Sequence, residues 1–97
     1  MGSARRIRPE RLGEKLLVIR QSFDCSLAQM AERLSGDEFS VRRTAISAYE
    51  LGDREPPLPV LLRYAEIANV YLEAIVNDRV DLPTKLPSRT KSEGIKR

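Results

Sequence analysis

The sequence predicts an all-α domain of five short helices, and three observations carry that prediction. Apolar residues recur at helical spacing in five successive stretches between residues 9 and 78. Breaks rich in Gly, Pro, Asn or Ser separate those stretches and suit turns better than continued helix. The composition is 41% hydrophobic and 32% charged with 5% aromatic residues, and a chain of 97 residues has room for one modest core built mainly from Leu, Ile, Val and Ala.

The first helix is expected to open at Pro9, whose missing N–H suits the first helical position, and to run to about Ser22. Leu12, Leu16, Ile19 and Phe23 form its buried stripe, with Glu14, Lys15 and Arg20 between or beside them. Ser26 is a good N-cap for a second helix, because its hydroxyl can accept a hydrogen bond from a first-turn N–H. Leu27, Met30, Ala31 and Leu34 give that helix its apolar face. The run Ser35-Gly36-Asp37-Glu38-Phe39-Ser40 then breaks the pattern. From about Val41 a third helix turns Val41, Ala45, Ile46 and Tyr49 inward and leaves Arg42, Arg43, Thr44, Ser47 and Ala48 on the other side. Gly52 is placed for a left-handed cap, and Pro56 and Pro57 cannot continue the helix. A fourth helix is expected from Leu58 to Ala68, stopped by Asn69, and a short fifth from Val70 to Asn77. Residues 79–97 have little to bury and read as a flexible basic tail, as residues 1–8 read as a basic arm.

Composition excludes several classes of function. No apolar run approaches the roughly 20 residues of a membrane span, and the Arg-rich start lacks the apolar stretch of a secretory signal, so a cytoplasmic protein is expected. One cysteine, Cys25, forms no internal disulfide and reads as a small buried apolar residue. With no histidine the usual zinc sets and the commonest general base are missing, so neither metal, cofactor nor enzymatic activity is expected.

The net charge of +3 is unevenly spread. Residues 1–11 carry four Arg against one Glu, residues 12–78 seven basic against eleven acidic groups, and residues 79–97 six against two. Any attraction to phosphate must therefore come from a local basic patch and the chain ends.

The segment Ala45-Ile46-Ser47-Ala48-Tyr49-Glu50-Leu51-Gly52-Asp53-Arg54-Glu55-Pro56 resembles the "TISRYERGxRxP" stretch of the Cro and cI-type repressors, the XRE family of helix-turn-helix regulators. Leu61 to Val76 resembles that family's "LLKLAKALGVSLDELL" ending, and Leu12-Gly13-Glu14-Lys15-Leu16 opens the domain in the same style. The resemblance covers about two-thirds of the chain. It implies a compact, five-helix, lambda-repressor-like fold with the second helix across the phosphate backbone and the third in the major groove of double-stranded DNA. Arg43 and Thr44 then fall at base-reading positions, with Ser47 and Ala48 one turn on. Arg42 binds phosphate or a base, and Arg54 joins the DNA-binding set. Arg20 and Glu50 match a structural salt bridge of some members. Leu72, Ile75 and Val76 are candidates for the contact of a homodimer, which would read a near-palindromic operator as a repressor.

Two departures are visible. Leu27 stands where the family usually has a phosphate-binding Gln, which passes that contact to Ser26, Gln29 or a backbone N–H. The turn carrying Ser35 to Phe39 is about five residues longer than the family's, and Phe39 either anchors it to the core or forms part of a partner surface. Arg5, Arg6 and Arg8 either follow a DNA groove or are merely solvated charge. The competing function is a protein-interaction module, an antitoxin or adaptor, that meets its partner at the 35–40 loop. RNA binding is disfavoured because the chain offers no sheet of stacking aromatics.

Overall fold

A computed structural model describes residues 9–96; the basic arm with Arg5, Arg6 and Arg8, and Arg97, lie outside the described residues. The helices are α1 (Leu12–Ser22), α2 (Leu27–Leu34), α3 (Arg43–Leu51), α4 (Leu58–Ala68) and α5 (Leu72–Val76), followed by two-residue strands β1 (Val80–Asp81) and β2 (Ile95–Lys96). The architecture is all-α with this small antiparallel pair appended, Val80 opposite Lys96 and Asp81 opposite Ile95.

Side chains that the helical periodicity places inward meet in one core. Leu16 and Ile19 of α1, Met30 and Leu34 of α2, Ile46 of α3 and Tyr64 of α4 are fully buried, and α3 packs on both α1 and α2. Cys25 is buried and reduced. The fourth helix has the predicted bounds, and Asn69 ends it in the left-handed region at φ 55°. No helix among the described residues is long and apolar enough to cross a membrane.

Three boundaries differ from the sequence reading. The first helix starts at Leu12 rather than Pro9, because the Asp78 carboxylate accepts the backbone N–H groups of Glu10 (2.9 Å) and Arg11 (3.0 Å) and holds this stretch as a turn. The third starts at Arg43 rather than Val41. The fifth shrinks to Leu72–Val76, since the N–H of Tyr71 donates to the carbonyl of Ser92 at 2.7 Å in the segment that follows.

That segment is the main correction. Residues 79–96, expected as a flexible tail, fold back across the end of α4 and the start of α5. Ser88 N–H donates to the Ala68 carbonyl at 3.0 Å, the Asn69 side-chain amide donates to the Ser88 carbonyl at 2.6 Å, and the Lys91 ammonium lies 4.6 Å from the Tyr71 ring centre. The apolar residues that make this worthwhile are few: Val80 is buried, and Leu82 and Leu86 pack partly against the core.

Two cations, Arg11 just before α1 and Lys15 in its first turn, bind the end of α5 and the start of this segment. Lys15, 2% exposed, directs its ammonium at the carbonyl oxygens of Ala74 (2.9 Å), Asn77 (2.8 Å) and Val80 (2.6 Å). Three donors thus meet three acceptors, two of them at or just past the negative end of α5, which is the arrangement a buried ammonium requires. The Arg11 guanidinium donates to the Asp78 carbonyl at 2.9 Å and pairs with Asp81 at 2.7 Å.

The backbone N–H groups of Arg11 and Glu10 hold the Asp78 carboxyl below its ordinary value of 3.8. A lowered folded-state value means that the unfolded chain takes up this proton first on acidification. The stabilisation is therefore complete above 3.8 and is lost as the pH falls below that value toward the lower folded one. Thermal unfolding of the wild type and Asp78→Asn, followed from neutral to acid pH, should show a gap in Tm that is widest at neutral pH and closes below about pH 4. A gap that does not change with pH would place the role of Asp78 elsewhere.

Candidate nucleic-acid interface

The surface that could meet a nucleic acid is built from the start of α2 and the start of α3, and each is fixed by local chemistry. At α2 the Ser26 hydroxyl accepts the N–H of Gln29 at 3.1 Å, while the Gln29 side-chain oxygen accepts the N–H of Ser26 at 2.8 Å. This reciprocal box satisfies two of the groups a helix start leaves unpaired. Both side chains remain exposed. Sequence reading named the Ser26 cap but not its return bond from Gln29, although the Ser-x-x-Gln spacing carries that signal.

The long turn between α2 and α3 is pinned at its neck. Ser35 Oγ donates to the Ala31 carbonyl at 2.8 Å and accepts the N–H of Val41 at 2.8 Å, and within the turn Gly36 N–H donates to the Phe39 carbonyl at 2.9 Å. The extra residues therefore bulge outward while α2 and α3 keep direct contact. Phe39 is half-buried against the core.

Along α3 the two faces are sharply different. Ile46 and Tyr49 are buried, whereas Arg42, Arg43 and Thr44 are exposed and Ser47 and Ala48 half-exposed. The Arg54 guanidinium carbon stands 5.8 Å from the centre of the Tyr49 ring. Arg42 and Arg54 share one groove beside α3, with Thr44 and Tyr49 also on its wall and no carboxylate among its lining residues. A cationic groove adjoining an exposed pair of arginines is where a phosphate backbone would be attracted.

The far end of α3 is locked to α1. Gly52, at φ 81°, and Asp53 close the helix by donating to the carbonyls of Tyr49 (3.2 Å) and Ala48 (2.9 Å), a Schellman ending. A Cβ on Gly13 would lie 2.7 Å from the Glu50 carbonyl oxygen and 3.0 Å from that of Tyr49, so α1 touches the end of α3 backbone to backbone. Beside that crossing Arg20 forms a two-pronged pair with Glu50, Nε to Oε2 at 2.7 Å and Nη2 to Oε1 at 2.9 Å, and its third nitrogen donates to the Cys25 carbonyl at 3.0 Å. The hydrogen bond to Glu50 raises the Arg20 pKa against an opposing burial effect. Burial, reinforced by the Glu50 charge, pushes the pKa of the neighbouring Tyr64 phenol well up, so Tyr64 adds no charge to the cluster.

The residues read as a dimer contact are not together on a free surface. Ile75 is fully buried in the core of its own protomer, which corrects that reading, while Leu72 and Val76 are partly buried against the same core. The reason is the shortness of α5: with few residues in the helix, its apolar face is needed to cover α1 and α4.

A helix-turn-helix family model matches residues 16–75, well over half of the chain and the whole of the surface just described. No curated protein and no solved structure matches it.

Two substitutions test how α3 is held. Alanine favours helix over glycine by up to about 1 kcal/mol, yet Gly13→Ala should lower Tm, because its methyl group meets main-chain oxygens that no rotamer change can remove. An increase in Tm would show that the crossing relaxes. Glu50→Ala should reduce the unfolding free energy measured in urea by roughly 3 kcal/mol, leaving the Arg20 charge half-buried without its partner. A loss under about 1 kcal/mol would mean the pair behaves as an exposed one.

Proposed function

We propose that this chain, a member of the Cro and cI-type helix-turn-helix family of DNA-binding regulators, reads duplex sequence through the first turn of α3 and acts as a dimeric repressor. The observation that carries this reading is the exposed cluster of Arg42, Arg43 and Thr44 at the start of a helix whose opposite face is fixed in the core. A guanidinium there can donate two hydrogen bonds to guanine O6 and N7, and Thr44 can meet a thymine methyl or a base edge. Ser47 and Ala48 extend the same face by one turn. Arg42 and Arg54 flank it as phosphate contacts, and the exposed start of α2, with Ser26 and Gln29, takes a phosphate on the other side.

Two copies are part of the proposal. Residues 12–78 carry seven basic against eleven acidic groups, so one domain gives few phosphate contacts, and a second copy doubles them. Two α3 helices about 34 Å apart on one face of the duplex would require a near-palindromic site. With Ile75 in the protomer core, the contact between copies falls on other surface than the α5 face.

Selection of bound sequences from a random duplex pool tests the proposal. The wild type should enrich a near-palindromic motif. Arg43→Ala should lose about 1–3 kcal/mol of affinity for it and relax preference at one position of each half-site. Arg54→Ala should weaken all sequences alike and make the salt dependence shallower. Binding without any enriched motif, or a motif that Arg43→Ala leaves intact, would overturn base reading by α3.

A further inference from the structure

The bulging turn between α2 and α3 leans over α4 and leaves a groove of about 560 Å³ between them. Its apolar wall is Leu34, Phe39, Pro59 and Leu62, the last 49% exposed. Its charged lining is Asp37, Glu38, Glu66 and Arg63, three carboxylates against one guanidinium. Arg63 is already paired with Glu66 at 2.7 Å and also donates to the Arg33 carbonyl, so the groove's one cation is neutralised from within. Among the described residues no hydrogen bond or ion pair engages the side chain of Asp37 or Glu38, and both are exposed.

This groove meets the cationic one beside α3 at Phe39 and Pro59, which line both. Charge is thus segregated on either side of the Phe39 ring, with Arg42 and Arg54 on the α3 side and Asp37 and Glu38 on the α4 side. Phosphate is repelled from the second groove for the same reason that it is attracted to the first. The exposed Leu62 and half-buried Phe39 give it an apolar floor that a purely solvated acidic loop would lack.

We propose that the groove between the 35–40 turn and α4 is a docking site for a segment of a partner protein in which bulky apolar side chains are flanked by Arg or Lys. The apolar side chains sit between Phe39 and Leu62, and the flanking cations face Asp37 and Glu38, whose side chains no hydrogen bond or ion pair engages among the described residues. Docking needs no DNA, so its failure and the failure of DNA reading are separate results.

The probe is a synthetic peptide of two leucines flanked by arginines, added to the full-length protein while backbone amide shifts are followed by NMR. Two controls accompany it: the same peptide with the leucines replaced by serine, and one with the arginines replaced by glutamate. The expected result is saturable shifts confined to residues 36–39 and 60–66 with the first peptide alone, and binding about tenfold weaker in the exposed double variant Asp37→Lys/Glu38→Lys. Leu62→Ser, an exposed change that spares the core, should weaken binding as well. Shifts scattered over other acidic surfaces, equal binding of the serine peptide, or indifference to both variants would overturn the proposal. Concentration-dependent shifts of these residues without peptide would overturn it too, by assigning the groove to a second copy of the chain.

Discussion

The pair between Arg20 and Glu50 is the interaction on which the exposed surface of α3 depends. A helix can present one face to a ligand in a defined pose only if its other face and its far end are immobile. Here the far end is held by a guanidinium, carried on α1, that binds the turn before α2 and the end of α3 at once. The pair lies about two turns along α1 from Gly13, where the backbones of α1 and α3 touch. Charge at this point is costly to bury, and the two-pronged geometry offsets that cost where a single contact would not.

A second set of contacts secures the other side of α1. Lys15 and Arg11 reach the turn after α5, and Asp78 returns the contact by taking two main-chain N–H groups at the helix start. These cations are therefore internal fasteners, unavailable to phosphate. The seven basic groups of residues 12–78 consequently overcount the cations the domain can offer DNA, since Lys15 is committed internally, whereas among the described residues no hydrogen bond or ion pair engages the side chains of Arg42, Arg43 and Arg54, the proposed DNA contacts. The fold-back of residues 79–96 follows from the same fastening, since it begins at the carbonyls that Lys15 binds.

Much of this was legible in the sequence, and the limits have physical causes. Helix existence, the bounds of the fourth helix, the Ser26 cap, and the left-handed stops at Gly52 and Asn69 depend on neighbours within a few residues, and each is readable from them. The exposure of Arg42, Arg43 and Thr44 follows from helical periodicity once Ile46 and Tyr49 are placed inward. Lys15 was not legible as a buried group, because its acceptors lie 59, 62 and 65 residues away and no local pattern names them. Asp78 escaped for the same reason. Residues 79–96 lack helical or alternating periodicity, so their attachment through Val80 and a handful of main-chain bonds leaves almost no sequence signal. Ile75 was misread because an apolar residue on a short helix has the same signature whether it covers its own core or a partner.

In the proposed reading α3 enters the major groove with Arg43 against a base. Guanine N7 methylation interference on a duplex selected by the wild-type protein tests this most directly, because N7 lies in the major groove and is one of the two atoms a guanidinium would bind. Methylation of a guanine in each half-site should block the wild type, and Arg43→Ala should be indifferent to methylation at that same guanine. Undiminished binding to N7-methylated duplex, or interference confined to adenine N3 in the minor groove, would contradict it.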